Sequence, residues 1–249
     1  MDLQLDGHVA VVTGATRGLG RAMAKALVEE GVRVLATGRT EAELDSLKAE
    51  APNQIETLVC DMLDLGAVAE IPGVARERFG RLDIVVNNAG IAPAGTFQSM
   101  DDSVWQEVFA INVFSCVTLA RAAGAGFIEQ GSGRVINIAS LSGLLGKAGL
   151  VAYSASKGAI VQMTKALAAE WARHGITVNA IAPGGYATAA QARVLEDPEL
   201  LKRRIQKIPV RRMAEPLEIG PLVCWLASPL AAFITGTVLV SDGGESSKL

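Results

Sequence analysis

Tyr153-Ser-Ala-Ser-Lys157 sets a phenol and an ammonium four residues apart. On a helix, positions i and i+4 share one side and lie about 6 Å apart along the axis. A cation beside a phenol favours the phenolate, which suits the phenol to give and take a proton near neutral pH. The spacing alone is weak: a helix with a packed Tyr and a solvated Lys satisfies it equally. What decides is whether other segments bring reacting groups to the same place.

A second pattern handles phosphate. Thr13-Gly14-Ala15-Thr16-Arg17-Gly18-Leu19-Gly20 follows a Val-rich run and opens a helical pattern. Glycines at such a junction permit a tight turn and let backbone N–H groups approach a pyrophosphate, and the helix N-terminus adds a positive dipole end. The spacing is G-x-x-x-G-x-G rather than the common G-x-G-x-x-G, so the strand–turn–helix context carries the reading. The next strand ends Ala36-Thr37-Gly38-Arg39-Thr40, where an NAD-binding fold usually places an acid for the adenosine ribose. Gly38 offers no carboxylate to repel a phosphate, while Arg39 and Arg17 supply cations suited to one. NADP is therefore expected in preference to NAD; the alternative is that both arginines are solvated loop residues. Asp61, at the end of the third strand, is expected either to hydrogen-bond the adenine amino group or to cap the next turn.

Positioning these groups requires strands that end at them. Runs rich in Val and Ile predict strands at His8–Thr13, Arg33–Thr37, Ile55–Cys60, Ile84–Asn87, Arg134–Ala139, Thr177–Ile181 and Thr237–Ser241. Several are apolar on both faces, as a buried parallel sheet requires. Helical patterns lie between them, near Leu19–Glu30, Glu41–Glu50, Ala67–Phe79, Asp102–Phe127, Ala152–Arg173 and Leu217–Ala227. This alternation predicts an α/β fold: one doubly wound parallel sheet of about seven strands with helices on both faces, a Rossmann fold. No linker, repeat or low-complexity tract divides residues 1–249, so a single domain is expected.

Composition narrows the function. The 249 residues are half hydrophobic and a fifth charged, with net charge -3, which leaves no footprint for nucleic acid or an anionic membrane. Cys60, Cys116 and Cys224 have no metal-ligand spacing, so no metal is expected, and buried free thiols in a reducing compartment are the expected state. The N-terminus lacks the basic and apolar regions of a signal peptide. Pro221 to Ser241 contains no charged residue, but Pro229 and Gly236 break it, so a helix to about Ala227, a turn and a buried strand are expected instead of a membrane span. The ending Ser247-Lys248-Leu249 has the form of a peroxisomal address, of consequence only in a eukaryotic host; the cytoplasm is the default expectation. Between Trp105 and Phe127 only Glu107 and Arg121 are charged, and Ala155, Ala159, Met163 and Ala166 make a small-residue face on the second long helix. A sheet covers one side of each helix, so a second subunit is expected over part of the rest, in a dimer or tetramer.

With the glycine turn, Asn87-Asn88-Ala89-Gly90 after the fourth strand, Asn112, Ser140, Tyr153-x-x-x-Lys157, Pro183-Gly184 with Thr188, and Ser241-Asp242-Gly243-Gly244, the chain resembles the short-chain dehydrogenase/reductase family. The resemblance runs from about Leu5 to Gly244. It implies an oxidoreductase that interconverts a secondary alcohol and a ketone, with hydride passing between the carbon and a nicotinamide. Tyr153 would be the general acid and base, with Lys157 stabilising its phenolate and bonding the nicotinamide ribose. Ser140 would hold the substrate oxygen, and Asn112 would anchor a water linking Lys157 to solvent. The resemblance further implies a cofactor site of Gly14, Thr16, Arg17, Gly18, Leu19, Gly20, Arg39, Thr40, Asp61 and Met62. It continues with Asn88, Ala89, Gly90, Pro183, Gly184, Tyr186 and Thr188, with Asn87 beside the adenosine ribose. One position departs from the family pattern: Tyr186, preceded by Gly185, stands where a small aliphatic is usual.

Ala92, Pro93, Ala94, Ser142, Leu144, Leu145 and Tyr186 are expected to touch the ketone or alcohol substrate. The segment Gln191–Arg212, within a lid expected at 189–213, has seven basic residues against three acidic ones. This excess, Arg203 and Arg204 in particular, suggests an anionic substrate such as a sugar acid, help with the cofactor phosphate, or a solvated amphipathic helix. Within the family two activities compete: a sugar-acid or polyol dehydrogenase resembling gluconate 5-dehydrogenase, and a 3-oxoacyl-[acyl-carrier-protein] reductase. Glu129, at a helix end where a cation would help dock an acidic carrier, disfavours the second, although the lid arginines could compensate. A non-catalytic dinucleotide sensor would predict loss of Tyr153 or Lys157, and both are present.

Overall fold

In the computed structural model, which describes residues 1–247, the Val- and Ile-rich runs become seven parallel strands. They are β1 (Val9–Val12), β2 (Arg33–Gly38), β3 (Ile55–Val59), β4 (Ile84–Asn87), β5 (Gly133–Ile138), β6 (Ile176–Pro183) and β7 (Val238–Ser241). Their order is β3-β2-β1-β4-β5-β6-β7. The order reverses between β1 and β4, which opens a crevice beyond the carboxyl ends of those strands. The Lys248-Leu249 part of the expected peroxisomal ending lies outside the described residues.

Among the described residues ten α-helices connect and cover the sheet: α1 (Gly18–Glu29), α2 (Glu41–Glu50), α3 (Leu65–Phe79), α4 (Asp102–Phe109), α5 (Ser115–Gln130), α6 (Ser142–Leu145), α7 (Val151–Trp171), α8 (Ala192–Glu196), α9 (Pro198–Lys207) and α10 (Gly220–Ala227). Alternate strand residues face opposite sides. Ala10 and Val12 join Met23 and Leu27 of α1 and Val223 of α10 in one core layer. Val9 and Val11 join Ile71 of α3 and Leu119 and Phe127 of α5 in the other.

Three expectations change. The helix expected over Asp102–Phe127 is interrupted by a five-residue π-helical segment, Ala110–Phe114. Such bulges recur at functional sites. The whole stretch Asp102–Gln130 is long and apolar enough to cross a membrane, yet half of its apolar window is buried in the fold. The strand expected to be buried at the C-terminal end is instead an edge: β7 pairs only with β6, and Val240 is 39% exposed. The lid region is itself helical, formed by α8 and α9, so the amphipathic helix named as an alternative for it is present and is divided in two. Phe114 is half-exposed and Ala155 and Ala166 are exposed, so the two long helices leave an apolar face open on one chain. All three cysteines are free and buried.

Candidate active site

The glycine turn is built by strand ends and a side-chain staple. Gly14 and Gly18 adopt φ of +63° and +56°, which a residue with a Cβ enters only at a cost. Asn88 Nδ2 donates to the carbonyls of Thr13 (2.8 Å) and Gly14 (3.1 Å). Thr13 Oγ1 in turn accepts from the N–H groups of Asn88 and Ala89. At Gly20 a Cβ would lie 2.5 Å from Asn88 Nδ2 and 2.8 Å from the Gly14 carbonyl carbon. The turn therefore closes only around glycine, and α1 begins at its open side. Above it, Thr188 stands 3.6 Å from where a Gly18 Cβ would be.

Ser140, Tyr153 and Lys157 converge because a short helix rests on a long one. Ser140 follows β5, and α6 turns back so closely that a Cβ at Gly143 would be 2.6 Å from the Lys157 carbonyl carbon. Ser140 Oγ accepts from Ser142 N at 3.1 Å. Its own hydroxyl hydrogen has no acceptor among the described residues, so it is left to donate. Lys157 is 4% exposed, and its Nζ donates to the Ile138 carbonyl at 2.6 Å. The ammonium lies 5.9 Å from the centroid of the Tyr153 ring. The i, i+4 geometry thus sets a buried cation behind a phenol whose hydroxyl has no partner among the described residues.

These groups line one cleft of about 910 Å³ together with the glycine turn. Arg17, Arg39, Asp61, Met62, Gly90, Pro183, Gly184 and Thr188 are among its lining residues. Of the expected substrate residues, Ala92, Ser142, Leu145 and Tyr186 line it. The volume, the glycine cradle and the exposed Arg17 and Arg39 fit a phosphorylated dinucleotide. A Cβ at Gly38 would run into Thr16 Cγ2, so the missing acid at that strand end has a packing cause as well.

Several expected residues lie elsewhere. Thr40, Leu144, Pro93 and Ala94 do not line the cleft; Thr40 is exposed before α2, and Leu144 is 39% exposed on the outer side of α6. Asn87 does not reach it either. Its Nδ2 donates to Asn137 Oδ1 at 2.8 Å, and Asn137 Nδ2 donates to Thr164 Oγ1 at 2.9 Å, a buried chain tying β4 and β5 to α7. Asn112 is fully buried. Its Oδ1 accepts from Ile91 N at 2.8 Å, and its Nδ2 donates to Ile91 O and Ser156 Oγ. Both amide hydrogens are committed, so water anchorage by this side chain falls to its remaining acceptor capacity. Asp61 Oδ1 accepts from Leu63 N at 3.0 Å; the turn-capping alternative is realised while the residue still faces the cleft.

Tyr186 is 4% exposed, and its hydroxyl is within 2.6 Å of Ser241 Oγ. Burial raises its pKa, against the effect of the Ser241 hydrogen bond. The ring borders the cleft while the hydroxyl is engaged with β7. The mouth also holds residues that sequence reasoning missed: Lys147, Lys207 and Glu245. Arg204 faces the cleft but is clasped by Glu245 through both nitrogens, at 2.6 and 2.7 Å. Arg203, expected to act with it, is exposed and does not line the cleft.

A family model described as enoyl-(acyl carrier protein) reductase matches residues 14–246. The chain is 38% identical to galactitol 2-dehydrogenase (L-tagatose-forming) of Cereibacter sphaeroides, over 97% of this chain and 96% of that protein. It is 34% identical to 3-oxoacyl-[acyl-carrier-protein] reductase of Vibrio harveyi, over 97% and 98%. A gluconate 5-dehydrogenase from Burkholderia cenocepacia J2315, solved in complex with NADP and tartrate, superposes with a TM-score of 0.94 at 29% identity, covering 100% of this chain and 98% of that one. With the glycine turn and the Ser140, Tyr153 and Lys157 cluster in one cleft, these likenesses identify an NAD(P)-dependent oxidoreductase, and the chain belongs to the short-chain dehydrogenase/reductase family.

Proposed function

We propose that the protein interconverts a secondary alcohol of a sugar acid or polyol with the corresponding ketone, using NADP(H) in preference to NAD(H). The observation that carries the reading is the convergence of Ser140, Tyr153 and Lys157 on the cleft that holds the glycine turn. When bound, the dinucleotide supplies or accepts the hydride. Ser140 donates its unpaired hydroxyl hydrogen to the substrate oxygen and orients it. Tyr153 gives its phenolic proton to that oxygen in reduction and takes it back in oxidation. Lys157, held by the Ile138 carbonyl, keeps its ammonium 5.9 Å from the centre of the phenol ring. Asn112 holds the Ile91 backbone and α7 in register around this centre.

The preference for NADP(H) rests on Arg17 and Arg39, which make no ion pair among the described residues and line the cleft. Charge-assisted bonds to a phosphate contribute about 1.5–3 kcal/mol each. Arg39→Ala is therefore expected to weaken NADPH at least roughly tenfold and NADH little, measured as dissociation constants by fluorescence titration. An unchanged NADPH to NADH ratio would remove the argument. The open apolar face on the two long helices supports a homo-oligomer, a dimer or tetramer, and a sedimentation mass equal to the 25.9 kDa chain would exclude it.

A second reading, 3-oxoacyl-[acyl-carrier-protein] reductase, is favoured by the likeness to the Vibrio harveyi enzyme. The relatives named for gluconate and galactitol, and the NADP and tartrate in the solved neighbour, support the first. The deciding experiment supplies NADP with gluconate and galactitol, and NADPH with an acetoacetyl thioester. A kcat/KM highest for the sugar substrates is expected. Dominant turnover of the thioester would transfer the assignment to the second reading.

A further inference from the structure

The substrate end of the cleft carries more positive charge than its own residues neutralise. Lys147 lies on the loop between α6 and α7, flanked by Gly146 at φ +70° and Gly149 at φ +77°. Arg204 and Lys207 lie one turn apart on α9, and Glu245 comes from the C-terminal turn. All four line the cleft. The single carboxylate is already spent: Glu245 takes both Arg204 nitrogens in a fork, with each side chain about one-fifth exposed. Paired in this bidentate way, Arg204 and Glu245 form a fixed, neutral unit.

Gly185, which precedes the departing Tyr186, explains how that unit fits. A Cβ there would lie 2.8 Å from an Arg204 guanidinium nitrogen and 2.9 Å from Ile208 Cδ1. Glycine at this position therefore lets the guanidinium lie against the backbone next to Tyr186. On the other side, Asp242 accepts from the N–H groups of Gly244 (2.8 Å) and Ser246 (2.6 Å), which fixes the turn that delivers Glu245. The clasp thus anchors α9 over the mouth from the C-terminal segment. Lys147 and Lys207 are left with no ion pair among the described residues. Desolvation at the mouth lowers the pKa of Lys147, repulsion from Arg204 and Lys207 lowers it further, and Glu245 opposes them. Exposed as the residue is overall, its ammonium sits in a field that a bound anion would relieve.

Resting on the alcohol-dehydrogenase reading above, we infer that Lys147 and Lys207 form a carboxylate subsite that selects hydroxy acids over neutral polyols, with the Arg204–Glu245 clasp holding α9 in place for it. A ligand carboxylate at the mouth would leave its carbon chain to run past Leu145, Leu150 and Ala92 toward Ser140 and Tyr153, all of which line the same cleft. Arg203, which points elsewhere, has no part in it.

The test uses the full-length enzyme with NADP bound and the variant Lys147→Met/Lys207→Met, with each single substitution as a second set. Removing a charged hydrogen-bond partner costs roughly tenfold to a hundredfold in affinity. The ratio of kcat/KM for gluconate to that for galactitol is expected to fall by about that factor. The thermal shift that gluconate adds to the NADP complex is expected to disappear, while the shift from NADP itself persists and reports a folded protein. An unchanged ratio with the gluconate shift retained overturns the inference, as does a wild-type enzyme that shows neither gluconate shift nor turnover. A shift from inorganic phosphate equal to that from gluconate overturns the assignment to carboxylates. If gluconate binding depends on the two lysines but no alcohol is oxidised, the subsite stands and the dehydrogenase reading falls.

Discussion

Tyr153→Phe is expected to lower turnover by about 10²–10⁴-fold, the range that a positioned general acid or base contributes, while leaving the thermal shift from NADPH intact. The substitution is clean for a structural reason. The Tyr153 hydroxyl has no hydrogen-bond partner among the described residues, so its loss orphans no buried group. The ring that faces the Lys157 ammonium at 5.9 Å is kept. Folding stability should therefore move by less than about 0.5 kcal/mol. Lys157 offers no such separation, because its ammonium is buried and satisfies the Ile138 carbonyl at 2.6 Å; removing it would disturb the fold and the chemistry together. The measurement is steady-state reduction of a ketone beside an NADPH melting series. If the Phe variant keeps more than about a tenth of the wild-type rate, Tyr153 is not the proton-transfer group. If the NADPH shift disappears with the rate, the loss reports binding and not proton transfer.

Local patterns were legible where one segment carries the whole signal. Parallel strands buried on both faces read as continuous Val and Ile runs, so their ends, and with them Gly14, Asn88, Ser140 and Pro183, could be placed along the chain. Tyr153 and Lys157 are neighbours through helix geometry alone. What stayed hidden depends on pairing between distant segments. Asn87 and Asn88 are adjacent and chemically identical, yet the strand alternation sends one to Asn137 inside the sheet and the other to the glycine turn. Sequence type cannot choose between them without the register. Tyr186 meets Ser241 because β6 pairs with β7 at Pro183 and Ser241. The charged mouth draws Lys147, Lys207 and Glu245 from three segments with no shared motif. The basic count of the α8–α9 region was visible, but not that Glu245 would neutralise Arg204 and that Arg203 would face away. The π-helical segment at Ala110–Phe114 leaves no mark in composition, because the same apolar residues suit an unbroken helix.

Gly20→Ala is expected to abolish the dinucleotide-induced thermal shift, through a single added methyl group. The new Cβ would lie 2.5 Å from Asn88 Nδ2 and 2.8 Å from the Gly14 carbonyl carbon, with the Gly14 oxygen closer still. None of these atoms can yield cheaply. Gly14 is backbone at a φ of +63°, and Asn88 Nδ2 is the group that ties the turn to the end of β4 through two carbonyls. Relief must come by opening the turn or by pushing out the start of α1, and either removes the N–H groups from the place where a pyrophosphate would be held. Overpacking of this kind costs about 1–3 kcal/mol, or roughly 3–10 °C in melting temperature for a chain of this size. Gly73→Ala is the control. It lies in the interior of α3, and a Cβ there meets nothing within 4 Å, so it should raise stability by about 0.5–1 kcal/mol through helix propensity. The ligand-free proteins and their NADPH complexes are compared in melting experiments. A Gly20→Ala protein that melts like wild type and binds NADPH equally well would mean that the turn has room for a methyl group, and the cradle would lose its standing as the phosphate site. A shift lost at position 20 and kept at position 73 would locate the dinucleotide at the crevice between β1 and β4, where Tyr153 and Ser140 also face.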